Sequence, residues 1–396
     1  MTCDFINSTQ QTITMKKLKL GFISWTDPRD RRSMSGTYYK IYESLSALGY
    51  DIVWLQIRAT RSYRLLCKLA NLLKKMTGRG FDVRHSVWGS SILSKTIDRE
   101  KLSSCGIVFA PFASEALYAL KTDKPIIYLS DATFGIMVDY YWKNLHPKSI
   151  LQGNIVEQRT LDMSQAVIVS SDWAACSVVN YYHQPKEKVH VIEFGANIDD
   201  KDIIPHKFCY KGHLDLLFLG VDWQRKGGSI AVDACRWLND NGIDSTLHIV
   251  GIKDLDESVR SLPFVDYIGF LNKNIPEQYS KLVSTIKSCH CLLLPTKAEC
   301  SAIAFCESSA NGLPVFSHNT GGVSNYVYDG QNGYLLPLGS TGADFGRKIK
   351  QSLDSGELAR MSETAKQVYR ERLNWGVWGQ KVDKIIKDIM NQKSSL

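Results

Sequence analysis

Residues 299–322 read ECSAIAFCESSANGLPVFSHNTGG. Small and apolar residues from Ala302 to Ala310 predict a helix, with Ser301 where an N-cap belongs and Asn311-Gly312 and Pro314 where it must stop. HCLLLP (290–295) before it and LPVFSH (313–318) after it are short apolar runs bounded by breakers. Strand, helix and strand in that order make a parallel βαβ unit. Two carboxylates, Glu299 and Glu307, sit in this apolar setting, one in the loop before the helix and one inside it. With a rise of about 1.5 Å per residue they should lie about 10 Å apart, the helix amino-terminus between them. That terminus offers unpaired N–H groups and a positive dipole, a natural seat for phosphate. Two solvated glutamates would give the same spacing, but the neighbours AIAF weigh against leaving a carboxylate unpaired there.

Outward from this unit the pattern repeats. LDLLFLGVDW (214–223), STLHIVG (245–251) and HCLLLP predict strands, with helices over SIAVDACRWLNDNG (229–242) and PEQYSKLVSTIKSC (276–289). Earlier, LKLGFISW (18–25), YDIVWLQI (50–57), GIVFAP (106–111), KPIIYLSD (124–131) and AVIVSS (166–171) predict strands separated by helical sequence. The 396 residues are too many for one ordinary core. The expectation is an α/β chain of two Rossmann-like βα domains facing a central cleft, 15–205 and 206–375, joined through polar residues 200–213. A C-terminal helix over 376–396 packs back on the first domain. Residues 1–14 read as a disordered leader or an artefact of start-site choice. Sites in such sheets lie beyond the carboxyl ends of strands, here in the cleft.

Composition narrows the classes. A hydrophobic share of 44%, a charged share of 22% and a net charge of +8 describe an ordinary globular protein with anionic partners. Ten cysteines without a C-x-x-C or a Cys/His ligand pattern argue against zinc and for a reducing, cytoplasmic setting. No apolar run is long enough to span a bilayer. Nucleic-acid binding would need more charge and a readable module.

FLGVDWQRKGGSIAVDA (218–234) places Arg225 and Lys226 in a strand-to-helix loop before Gly227 and Gly228. Glycines let a phosphate approach the backbone while the cations neutralise it. An exposed basic turn is the competing reading. Neither G-x-G-x-x-G nor the P-loop pattern is present.

Together with SGT (35–37), SDATF (130–134), SSDWAA (170–175), EFGAN (193–197), PTKAEC (295–300), GLPVFSHNTGG (312–322), DGQNGYLLP (329–337) and LNW (373–375), these segments resemble the retaining glycosyltransferases of family 4, of the two-Rossmann-domain GT-B type. The resemblance covers essentially everything from residue 17 onward. It implies transfer of a sugar from a nucleotide-diphosphate sugar to an acceptor hydroxyl, with no cofactor and no metal. Glu307 would hold the ribose hydroxyls and Glu299 would face the transferred sugar. Lys226, with Arg225, would grip the diphosphate; Gly36 and Thr37 belong to the first-domain loop, and the amides of Ile303 and Ala304 would complete the cradle. Where relatives carry a histidine near the acceptor this chain has Asp131, which either contacts the acceptor hydroxyl as a base or caps a helix. Val221 and Ala302 also depart from the usual pattern. Asp254-x-Asp256 matches a metal signature of a different transferase fold but lies far in sequence from the donor motifs.

Residues 52–81 contain no acidic residue but hold Arg58, Arg61, Arg64, Lys68, Lys74, Lys75 and Arg79, with leucines at helical spacing. Residues 58–79 are either a helix lying on an anionic membrane surface, with a glycan or lipid-linked acceptor, or a core helix with a solvated basic face. An inactive nucleotide-sugar- or glycan-binding scaffold and a nucleotide-sugar epimerase are the rival functions.

Overall fold

The computed structural model describes residues 18–203 and 207–394, so residues 1–14 lie outside it. Its first sheet is built from β1 (Lys19–Ser24), β2 (Asp51–Gln56), β3 (Ile107–Pro111), β4 (Ile126–Ser130), β5 (Ala166–Val169) and β6 (Val189–Val191), in the order β2-β1-β3-β4-β5-β6. The second holds β7 (Leu214–Leu219), β8 (Ser245–Val250), β9 (Val265–Gly269), β10 (Cys291–Leu294), β11 (Val315–His318) and β12 (Gly333–Leu336), in the order β12-β11-β10-β7-β8-β9. Every pairing within both sheets is parallel. The second sheet has the full doubly-wound order, reversing direction between β7 and β10, where such folds open a ligand crevice. The first reverses between β1 and β3 and lacks the strand that would follow β2.

The missing strand is replaced by helices. Among the elements that matter below are α1 (Thr37–Ala47), α2 (Arg61–Thr77), α3 (Val87–Ser94), α4 (Pro147–Met163), α5 (Gly228–Asp240), α6 (Ile303–Ala310) and α7 (Trp375–Ser394). The sequence reading did not anticipate β6, β9 or β12. All three are short sheet edges, and β9 alternates in burial too weakly to stand out as an apolar run.

Because helices cover both faces of a parallel sheet, its strands read as continuous apolar runs. Two clusters of buried side chains lie on the first sheet, one around Ile23, Val108 and Val169, the other around Leu20, Phe22 and Phe109. The second cluster is completed by α7, whose Trp378, Val382 and Ile386 are buried in it. Ser44 donates to the Trp375 carbonyl (2.8 Å) and Tyr50 to Asp383 (2.7 Å), fixing the chain's last helix on α1 and β2. Burying Trp378 alone contributes about 2–3 kcal/mol. The C-terminal segment therefore ties the two halves together across the cleft.

Candidate functional site

A cavity of about 420 Å³ opens between the carboxyl ends of the two sheets. Arg225, Lys226, Asp131, Glu299, Ile303, Ala304, Glu307 and Thr37 all line it, so side chains up to 270 positions apart in the chain share one space. Gly36 lies immediately beside the lining residues Ser35 and Thr37.

The loop after β7 carries the cations. Its turn at Gly227 has φ +75°, and a Cβ there would lie 2.1 Å from the Pro295 carbonyl oxygen, so only glycine fits. Gly228 packs on the Trp223 ring. This close approach of the β7 and β10 loops brings Lys226 against Glu299, with which it forms an ion pair. Both are buried, at 8% and 5% exposure. Arg225 Nη1 lies 3.5 Å from the same carboxylate oxygen, donates to the Ala298 carbonyl (3.0 Å) and to Tyr141 Oη (3.1 Å), and stacks over the Tyr141 ring.

Glu307, 3% exposed, pairs with Lys273 at 2.6 Å. Lys273 also donates to the Asn197 carbonyl at 3.2 Å. Sequence reasoning did not single out this lysine, in GFLNKN (269–274), as Glu307's partner. An isolated lysine in a polar loop carries no signal; only the fold brings it to α6.

Between the two carboxylates stands the start of α6. The predicted cap at Ser301 is corrected: the N-cap is Ala302, without a side-chain hydrogen bond, and the helix begins at Ile303. Ser301 Oγ donates instead to Asp131 Oδ2 at 3.4 Å, across the cleft. The first amides of α6 thus have no capping side chain and keep the donors and dipole that favour an anion.

From the first domain, the loop after β1 enters the cleft through three successive left-handed residues, Met34, Ser35 and Gly36. Buried Asn197 holds this turn: its Nδ2 donates to the Ser35 carbonyl (2.9 Å) and to Thr37 Oγ1 (3.1 Å), while Trp375 Nε1 donates to its Oδ1 (3.1 Å). Thr37 is therefore engaged in positioning the loop. EFGAN flagged Asn197 only as part of a motif.

Asp131 follows β4 and caps no helix, which removes that alternative: the turn Phe134–Met137 has Thr133 at its N-cap. Burial, with the Glu299 charge adding to it, pushes the Asp131 carboxyl up to about 6. Asp256 in the Asp254-x-Asp256 segment caps the short helix Glu257–Arg260. Among the described residues no group of His, Cys, Asp or Glu is arranged to hold a metal ion.

Two tyrosines missed by sequence reasoning bridge the halves. Tyr140 Oη accepts from the Glu299 amide (2.7 Å) and lies 2.9 Å from Thr320 Oγ1; Tyr141 stacks on Tyr140 and reaches the Glu299 carboxylate. The first domain thus grips the loop that carries Glu299.

Residues 199–368 match the family described as glycosyl transferases group 1. That stretch, the second sheet and its helices, is similar to a group 1 glycosyltransferase domain. Among the relatives of this chain is the D-inositol 3-phosphate glycosyltransferase of Corynebacterium diphtheriae, 22% identical over 59% of this chain and 58% of the relative. A putative colanic acid biosynthesis glycosyltransferase of Escherichia coli, WcaL, is 24% identical over 48% of each chain. The chain thus spans under two thirds of the length of these curated relatives. Sucrose-phosphate synthase of Thermosynechococcus elongatus shares the fold with a TM-score of 0.68 at 13% identity, covering 95% of this chain and all of that one. Anabaena HepE in complex with UDP-glucose does so at 0.63 and 12%, covering 94% of this chain and all of that one. The fold is the two-domain GT-B architecture expected from the sequence.

Lastly, α2 is exposed along its leucines: Leu65, Leu69, Leu72, Leu73 and Met76 are 49–75% exposed, so the reading of a core helix is corrected. Only Ala70 of α2 is buried. Among the described residues no helix is long and apolar enough to cross a membrane.

Proposed function

We propose that the protein is a retaining, metal-independent glycosyltransferase that moves a sugar from a nucleotide-diphosphate sugar onto the hydroxyl of a glycan or lipid-linked acceptor, in envelope polysaccharide or glycolipid synthesis. One observation carries this reading: an uncapped helix end, two cations and two buried carboxylates line a single cleft. Glu307 holds the ribose, Lys226, Arg225 and the first amides of α6 hold the diphosphate, and Glu299 faces the sugar. Gly36 closes on the phosphates from the first domain. As the bond to the sugar breaks, negative charge grows on the leaving phosphate, where Lys226 and the helix end stabilise it. Lys226 and Glu299 already neutralise one another, so a diphosphate that takes over the lysine finds it positioned.

Retaining glycosidases place two carboxyls about 5–5.5 Å apart, one as nucleophile. Glu299 and Glu307 serve opposite ends of the donor, so the substitution proceeds on one face, the leaving phosphate helping to take the acceptor's proton. Asp131, freed from any capping role, faces the acceptor hydroxyl. The protein works on the cytoplasmic side of a membrane, held there by α2: its exposed leucines and flanking cations suit an anionic bilayer.

Solved neighbours hold UDP and UDP-glucose, so uridine nucleotide sugars lead the panel of donors to test. Thermal unfolding with each donor, in chelator, for wild type and Glu307→Ala reads the site directly. A donor at a hundredfold its Kd should add about 2.7 kcal/mol to wild type, and the shift should vanish in the variant. Absence of a shift with every donor would overturn the reading, and an absolute manganese requirement for turnover would overturn its metal-independence.

A further inference from the structure

A second cavity of about 160 Å³ lies wholly in the first domain and meets the donor cleft at Met34, Phe112 and Asp131. Its walls mix flat aromatic and polar groups. Trp142, Phe134 and the His85 ring pack together with centroids 5.0–5.5 Å apart. Asp82 holds His85 Nδ1 at 2.7 Å, and His85 Nε2 has no protein partner among the described residues. Glu157, 2% exposed, accepts a hydrogen bond from Tyr128 at 3.3 Å and has no ion-pair partner among the described residues. Aromatic faces beside planar polar groups suit a ring with C–H faces and hydroxyl edges.

Charge decides what kind of ring. The cations lining this cavity, among the described residues, are Arg84 and His85, and both are matched. Arg84 Nε lies 2.6 Å from Glu115, and its Nη2 donates to the Phe112 carbonyl at 3.0 Å; His85 is matched by Asp82. Glu157 and Asp131 remain as carboxyls without a cation. A phosphate or carboxylate entering here would meet two acidic groups and no unpaired positive charge. The donor cleft next door has the opposite balance: Arg31, Arg32, Arg225, Lys226 and Lys273 line it against the carboxyls of Asp131, Glu299 and Glu307, an excess of cations even where each glutamate has its lysine.

We propose that this cavity seats the acceptor and selects an uncharged, hydroxyl-rich ring, with His85 and Glu157 holding ring hydroxyls and Trp142 packing on its face. The proposal rests on the glycosyltransferase reading for its role, but the cavity's selectivity is a property of its own residues. Asp131 stands where the two cavities meet, so a hydroxyl of such a ring would lie beside the donor's sugar. The wall residues Arg84, His85 and Trp142 are a few positions from the Gly80 to Leu145 bridge that ties the end of α2 to the start of α4. An acceptor ring in the cavity could therefore trail an apolar carrier toward the exposed leucines.

The test is ligand-observed NMR on the full chain, with and without the nucleotide that stabilises it. The probes are methyl glycosides of glucose, galactose, mannose and N-acetylglucosamine, against glucose 6-phosphate and glucuronate. At least one neutral glycoside should bind at least tenfold more tightly than either anionic ring. Glu157→Gln and His85→Asn should each weaken that glycoside about tenfold while the nucleotide-induced thermal shift keeps its wild-type size, which also reports that both variants are folded. Equal or tighter binding of an anionic ring, no effect of either variant, or no binding by any neutral glycoside would overturn the proposal. Loss of the nucleotide shift in wild type would instead sink the donor reading, and sugar binding without nucleotide would still decide the cavity.

Discussion

Glu299 and Glu307, in the second domain, each face a lysine inside the cleft, whereas Glu157, buried in the first domain, and the partly buried Asp131 beside it have no ion-pair partner among the described residues. On the proposed function these counter-ions have a second use: the lysine that neutralises Glu299 is placed to meet a diphosphate. The first domain leaves its carboxyls to hydrogen bonding, which suits uncharged hydroxyls. The sheets differ in parallel. The second has the complete doubly-wound order, so its loops converge at one switch point; the first gives up a strand and spends residues 57–106 on helices that build a surface. On the proposed function, nucleotide recognition belongs to the regular half, and acceptor recognition and docking to the irregular one.

The sharpest way to break this contrast is to remove one counter-ion. Lys226→Ala takes away the donor-side cation and leaves Glu299 buried beside Arg225 alone. Electrostatic stabilisers of this kind are worth about 10²–10³ in rate. The variant should lose transfer by that factor, measured as kcat/KM with the donor that stabilises wild type. A loss under threefold would mean that Arg225 and the α6 amides carry the phosphate unaided.

Glu157 probes the other half, with a somewhat smaller effect. Burial drives its carboxyl up to about 7, with Glu115 raising it further and His85, Tyr128 and Ser114 opposing. A carboxyl raised on folding contributes stability that is complete below its unfolded value near 4.5 and is lost as pH rises through 7. Glu157→Gln removes that dependence. Relative to wild type, the variant should gain up to about 3 kcal/mol between pH 4.5 and pH 8, read from denaturant unfolding at the two pH values. A difference that does not change with pH would show that Glu157 is solvated or paired, and the contrast between the halves would fall.

What could be read in the sequence follows from how local each feature is. The strand before α6, the loop that joins them and the R-K-G-G turn are each contiguous in sequence, so Lys226, Glu299 and Glu307 could be singled out from residue type and spacing, and their expected roles from the family resemblance. Lys273, Asn197 and the Tyr140–Tyr141 pair could not, because each acts on a residue between 34 and 162 positions away and none has a distinctive neighbourhood. The capping error at Ser301 has the same origin. A serine before a helix ordinarily turns its hydroxyl to its own amides, but here the opposite domain offers a carboxylate. Nor does spacing alone tell an apolar stripe that faces the core from one that faces out. The leucines of α2 and the Ala231, Val232, Cys235 and Leu238 set of α5 have similar periodicity, yet only the second is buried.

That last pair of helices gives the smallest expected effect on stability. Exposed side chains contribute little to the fold, so Leu69→Ser with Leu72→Ser should change unfolding by no more than about 0.5 kcal/mol. What those leucines and the neighbouring cations should control is partitioning to lipid. Each basic residue near an anionic surface adds about 1 kcal/mol of attraction, and each buried methylene about 0.8 kcal/mol. Flotation with vesicles of phosphatidylserine and phosphatidylcholine should therefore capture wild type. The double serine variant should lose most of that binding, and so should wild type in high salt, where the charge attraction is screened. Zwitterionic vesicles should capture neither. If the serine variant instead unfolds easily, the stripe is core to some assembly of this chain, and α2 would belong with α5 after all.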